Sequence, residues 1–120
     1  MATHNELGTL GEALATQYLL GEGYTILERN WTFQKAELDI IAQKDEDTIV
    51  FVEVKTRNSA FFGDPQSFVT PAKIKLLVKA ANEYLIRNGL QQEARFDIVA
   101  VLKNNKEERI EHFENAFYHF

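Results

Sequence analysis

One stretch constrains this chain more than any other: Thr48 to Thr56, which reads Thr-Ile-Val-Phe-Val-Glu-Val-Lys-Thr. Its β-branched and aromatic residues predict a strand. With a period of two, Val50, Val52 and Val54 share one face, and Ile49, Phe51, Glu53 and Lys55 share the other. Both faces begin apolar, the pattern of a central strand covered on both sides. The second face then ends in a carboxylate and an ammonium. Charges at the end of a buried face are costly unless they are paired, bind a metal or meet a charged ligand.

A second stretch accounts for that placement. Glu37-Leu38-Asp39-Ile40-Ile41-Ala42 alternates, with Glu37 and Asp39 on one face and Leu38 and Ile40 on the other. Asp45-Glu46-Asp47 reads as a polar turn between the two stretches. An antiparallel hairpin centred on Glu46 sets Asp39 opposite Glu53 and Ala42 opposite Val50. Cross-strand Cβ atoms lie only about 5 Å apart. Two carboxylates that close repel unless a cation or a proton sits between them. The pattern predicts a divalent-metal site of Asp39 and Glu53, with Lys55 one strand period away. The plainer alternative is a Glu53–Lys55 ion pair bordering the sheet, with Asp39 capped by backbone amides. Spacing alone leaves both open.

Composition narrows the classes. At 120 residues and 45% hydrophobic, the chain reads as a single globular domain, residues 1–120. A net charge of −5 argues against a protein that coats nucleic acid non-specifically, though not against an enzyme acting on it. The absence of cysteine removes disulfides, zinc–thiolate sites and thiol nucleophiles, and fits a cytoplasmic setting. No apolar run approaches the ~20 residues of a membrane span, and no signal peptide is evident, so no membrane partner is expected.

Thr3 to Glu22 predicts the first helix, with Leu7, Leu10, Gly11, Leu14, Ala15, Tyr18 and Leu19 on one arc. Glu12 borders that arc. It is either a solvated helix-edge glutamate or an acid leaning over the sheet to join Asp39 and Glu53. Tyr24 to Trp31 predicts a strand and Thr32 to Lys35 a turn. The Glu37 strand then runs to about Gln43. Arg57 to Phe68 reads as a loop whose Phe61-Phe62 pair either covers the core or stacks on a base. Thr70-Pro71 starts a second helix that Gly89 stops. Lys73, Lys75, Lys79 and Arg87 ride on it, as a solvated face or as phosphate contacts. Ala94 to Lys103 and Ile110 to Phe117 complete the strands. His112 and His119 lack zinc-site spacing and read as structural or surface residues. Phosphate-loop, dinucleotide-binding and nucleophile-elbow motifs are absent.

These residues carry a resemblance. Asp39, then Glu53-Val54-Lys55 ending a central strand, with Glu12 on a preceding helix, is similar to the core of the PD-(D/E)xK nucleases, a group that includes restriction endonucleases and archaeal Holliday-junction resolvases. The fuller string is more specific. Gly11-Glu12, Asn30-Trp31, Glu37 to Ile41, Phe51 to Arg57, Phe62-Gly63, Lys73, Tyr84-Leu85 and Arg95-Phe96-Asp97 closely resemble the YraN family over nearly the whole chain. One departure is Ala36, where that family usually has glycine; this adjusts only the turn.

The resemblance implies an α/β, restriction-endonuclease-like mixed five-stranded sheet flanked by helices. It implies Mg²⁺ or Mn²⁺ held by Asp39, Glu53 and Glu12, and Lys55 acting on the water or the transition state. Arg57, Lys73 and Lys75 are the expected nucleic-acid contacts, with DNA, branched DNA included, as the expected partner. Resolvase-like folds often dimerise, so a homodimer is an expectation as well. Two other classes stay open: a nucleic-acid-binding module without turnover, and a protein–protein adaptor.

Overall fold

A computed structural model describes residues 4–58 and 69–117. Its elements run α1 (His4–Gly21), β1 (Thr25–Phe33), β2 (Ala36–Gln43), β3 (Thr48–Arg57), α2 (Pro71–Arg87), β4 (Glu93–Lys103) and β5 (Glu108–Phe113). The strands form a five-stranded sheet in the order β1-β2-β3-β4-β5. All neighbours are antiparallel except β3 and β4, which run parallel through the α2 crossover. This is the mixed α/β sheet flanked by helices that the sequence predicts.

The helices cover opposite faces, because β3 and β4 are apolar on both. Leu77, Ala80, Ala81 and Tyr84 of α2 pack on Ile49, Phe51, Phe96 and Ile98. Ala15 and Leu19 of α1 pack on Val50, Val52, Val99 and Val101. Helix α2 starts where Thr70 accepts a hydrogen bond from the Lys73 amide at 3.2 Å, with Pro71 in the first turn. It ends at Gly89 (φ 61°), where the Leu90 amide donates to the Leu85 carbonyl. Helix α1 meets β3 so closely that a Cβ on Gly11 would overlap the Thr56 side chain. Ala36, the departure from the YraN pattern, opens β2 and is buried beneath α2.

Two expectations need correction. Strict alternation in β2 fails at Asp39: Leu38 packs on the α2 side and Ile40 on the α1 side. The cause lies in β1. Asn30 adopts φ 54° between the pairs Arg29–Ile40 and Trp31–Leu38, and the hairpin kinks opposite Asp39. The last strand ends at Phe113 rather than Phe117. Asn115 turns the chain with φ 51°, the Ala116 amide donates to the Phe96 carbonyl, and Phe117 tucks onto Phe96 beneath the sheet. The Phe61-Phe62 pair, the rest of its loop and His119 lie outside the described residues.

Candidate metal centre

The β2–β3 hairpin has the register its turn predicts, pairing Ala42 with Val50, Ile41 with Phe51 and Ile40 with Val52. The regular ladder stops one residue short of Asp39 and Glu53. There the Asp39 side chain replaces the backbone: its Oδ2 accepts from the Val54 amide at 2.8 Å. Its carboxyl also hydrogen-bonds to Glu53. Burial, that hydrogen bond and the charge of Glu53 push Asp39 up to about 9. The Asp39 carboxyl therefore holds its proton more tightly than a free carboxyl does.

Glu53 is 6% exposed, a rare setting for a carboxylate. Lys73, reaching down from α2, places Nζ 3.1 Å from Glu53 Oε2. The contact is short, yet this buried oxygen has no well-aligned hydrogen-bond donor. Burial works against the Lys73 ammonium, but the charge of Glu53 and a loose hydrogen bond to it outweigh burial and hold the ammonium above its usual range. Lys55 is pulled the other way. Burial and the neighbouring Lys73 lower it, against the opposing pull of Glu53 and Asp39. Asp39, Glu53, Lys55 and Lys73 thus form one cluster of interacting charges at the end of β3.

Glu12 stands beside Asp39, but the acid that groups with the two of them is Glu37 rather than the expected Glu53. The kink that carries β2 across the sheet leaves Asp39 within reach of the α1 side, where Glu12 stands. One carboxylate oxygen each of Glu12, Glu37 and Asp39 lies within 4.8 Å of the others, an arrangement that could hold a metal ion. Glu12 is raised above the usual range by burial, then by Glu37; Arg29 and a hydrogen bond to Asn30 oppose this, and Glu53 adds to it. Asp39 is therefore the shared member of two carboxylate groups, Asp39–Glu53 and Glu12–Glu37–Asp39.

The remaining expected contacts divide. Arg57 donates to the Thr56 carbonyl at 2.9 Å and lines an open cleft with Glu12, Lys55 and Leu7. Lys73 faces the acids instead of standing free for phosphate. Lys75 is exposed; two residues further along α2, it is turned by roughly 200°. Sequence reasoning missed Asn30, whose backbone makes the kink and whose side chain bonds Glu12. Asn is among the residues that tolerate a left-handed conformation, but an interior strand position gives no signal for one. It also missed a second buried carboxylate, Asp97, on the α1 face. Asp97 accepts from Arg95 Nε (2.9 Å) and Nη2 (2.8 Å), from the Asn115 amide (2.9 Å) and from His112 Nε2 (2.7 Å). With Nε2–H on Asp97, His112 Nδ1 accepts from the Tyr18 hydroxyl at 3.0 Å. His112 is thus structural, one of the readings its spacing allowed. The available signal was Arg95-x-Asp97, two opposite charges on one strand face.

The kinship of the chain is consistent with these motifs. The model of UPF0102, an uncharacterised protein family, matches residues 11–101. The chain belongs to the UPF0102 (YraN) family. A UPF0102 protein of Flavobacterium psychrophilum is 66% identical over 120 residues, covering 100% of both chains. A UPF0102 protein of Bacteroides thetaiotaomicron is 46% identical over 118 residues, covering 98% of this chain and 97% of its own. Among solved structures, Pyrococcus furiosus SfsA in complex with Ca²⁺ matches 90% of this chain and 62% of that chain at 16% identity. The TM-score of that match is 0.32.

Proposed function

We propose that this UPF0102 protein is a metal-dependent nuclease that hydrolyses phosphodiester bonds in nucleic acid. The observation that carries the reading is Glu53. A buried carboxylate oxygen without a well-aligned hydrogen-bond donor, beside a second carboxyl whose ionisation is disfavoured, is an arrangement a cation would relieve. The donor set also fits. Asp39, Glu53, Glu12 and Glu37 offer only oxygens, which suit Mg²⁺ or Mn²⁺.

Asp39 and Glu53 would hold the ion, with Glu12 and Glu37 completing its shell directly or through water. Bound there, the ion supplies charge neutralisation of the scissile phosphate and a water of lowered pKa. Lys55, at the same strand end, donates a hydrogen bond to the phosphate oxygen on which charge develops, or orients the attacking water. Its partial burial keeps competing water from that ammonium. Arg57, beside Lys55 in the open cleft, is placed to hold a neighbouring phosphate. The affinity for DNA is local to this cleft, since the net charge of the whole chain is negative.

The test is a cleavage screen over branched and linear DNA and RNA with Mg²⁺ and Mn²⁺, with branched DNA first. The expected outcome is metal-dependent cleavage that Asp39→Ala abolishes and Lys55→Ala slows by about two to three orders of magnitude. Mn²⁺ titration should show Lys55→Ala binding the ion at least as well as wild type, because an ammonium cannot ligate a cation. Wild-type cleavage by Lys55→Ala would assign Lys55 to a structural pair with Glu53.

A further inference from the structure

Lys73 does not occupy the place expected of a phosphate-binding lysine. Its ammonium lies 3.1 Å from Glu53 Oε2, while its side chain is 42% exposed and open to solvent on the outer side. The oxygen it faces is the buried one without a well-aligned hydrogen-bond donor. The contact therefore provides positive charge through a poorly aligned bond at best; Arg95 on Asp97 is the contrasting pair in this protein, with two aligned bonds of 2.9 and 2.8 Å. A lysine stem is also long and flexible enough to leave without moving its helix.

We propose that Lys73 is a resident counter-cation of Glu53, which a divalent ion displaces, so that Lys73 opposes metal loading of the empty site. The inference rests on the metal reading of Asp39 and Glu53 given above. The charge count supports it. Lys73 lies closest to Glu53, with Asp39 and Lys55 in the same cluster. A divalent ion between Asp39 and Glu53 neutralises both carboxylates by itself, which leaves the ammonium groups of Lys73 and Lys55 unbalanced beside it. Two cations that close repel by an amount that partial exposure reduces but does not remove. The displaced ammonium then stands at the mouth of the site, where a phosphodiester is the anion at hand. Substrate would in this way favour metal binding, by drawing off the group that competes with it.

The experiment is calorimetric Mn²⁺ titration of the full chain without nucleic acid, comparing wild type, Lys73→Met and Lys79→Met. Lys79 is exposed on the same helix and carries the same charge, so it controls for the change in net charge. Lys73→Met is expected to bind Mn²⁺ about three- to tenfold more tightly, with Lys79→Met within twofold of wild type. A second readout follows ¹³C-labelled lysine by NMR during Mg²⁺ titration. The Lys73 Cε signal is expected to move from its paired to its free position as the ion binds, a shift that a merely structural lysine would not show. If wild type binds Mn²⁺ and Lys73→Met binds it equally or more weakly, the inference fails alone. If wild type binds no Mn²⁺ at all, it fails together with the metal reading. A Lys73 Cε signal unmoved at saturating Mg²⁺ also overturns it.

Discussion

Two buried carboxylates sit on neighbouring strands of one sheet and live by opposite rules. Asp97 on β4 pairs in register with Val52, and Glu53 on β3 pairs with Ile98, so they lie one residue apart on opposite faces. Asp97 is fully buried and receives hydrogen bonds from Arg95, His112 and the Asn115 amide. Burial would raise it, but these donors win and hold it below the usual carboxylate range. Glu53 is nearly as buried, yet it keeps an oxygen without a well-aligned donor and disfavours the ionisation of Asp39 beside it. The sheet can evidently satisfy a buried acid completely. The strained arrangement at Asp39–Glu53 is thus a local property of that site, the kind of conflict that marks function rather than stability.

The largest expected effect breaks the satisfied side of this comparison. Asp97→Ala strips the acceptor from Arg95, His112 and the Asn115 amide, and it should destabilise the protein by about 3–5 kcal/mol. Glu53→Gln should cost within about 1 kcal/mol without metal, because it removes a charge that the fold satisfies poorly. Urea unfolding of both variants measures the contrast. Equal losses would show that Glu53, too, is a stabilising partner, and the metal reading would lose its main support.

A smaller effect sharpens the comparison through α1. Gly11 touches Thr56 of β3, and its neighbour Glu12 is the acid that α1 brings to Asp39 and Glu37. Gly11→Ala should cost about 1–3 kcal/mol through overpacking, push the helix outward and weaken Mn²⁺ binding. Gly8 lies on the same helix with open space around it, so Gly8→Ala should be neutral or stabilising by up to about 1 kcal/mol. Equal stabilities of the two variants would mean that the α1–β3 contact is loose and does not set the position of Glu12.

Much of this was legible in the sequence, for reasons that also explain what was not. The hairpin register could be read because the short polar turn Asp45-Glu46-Asp47 fixes which residues of the two strands stand opposite each other, Ala42, Ile41 and Ile40 against Val50, Phe51 and Val52. The helices could be read from their caps and periodicity. The left-handed Asn30 opposite Asp39 could not, since such an asparagine inside a strand has no local signature. Lys73 was visible as a charge on α2, but its partner depends on how the crossover lays the helix across β3. The Asp97 network needs β5 beside β4 before His112 has a reason to be there.

A further expected effect is one of pH, and it sets the two acids against each other in a single measurement. Asp39 ionises at about 3.8 in the ordinary case and at about 9 in the folded protein. Between those values the folded state holds a proton that the unfolded chain has released. Stability without metal should therefore be fully present below about pH 4 and fall as pH rises toward 9. Asp97 is shifted the other way, so its contribution is present above the ordinary value and lost as pH falls into the acid range. Asp39→Asn should flatten the alkaline decline and leave the acid limb untouched, so that between pH 6 and pH 8 its stability relative to wild type rises by up to about 1.4 kcal/mol per pH unit. Saturating Mn²⁺ should flatten the same limb in wild type, because the ion takes the place of the proton, and calorimetry in buffers of different ionisation enthalpy should show about one proton released per ion. An alkaline limb identical in wild type and Asp39→Asn would mean that Asp39 is ionised in the folded protein. Two bare carboxylates would then have to be balanced by Lys55 and Lys73 together, and the site would be an ion-pair network like the one around Asp97.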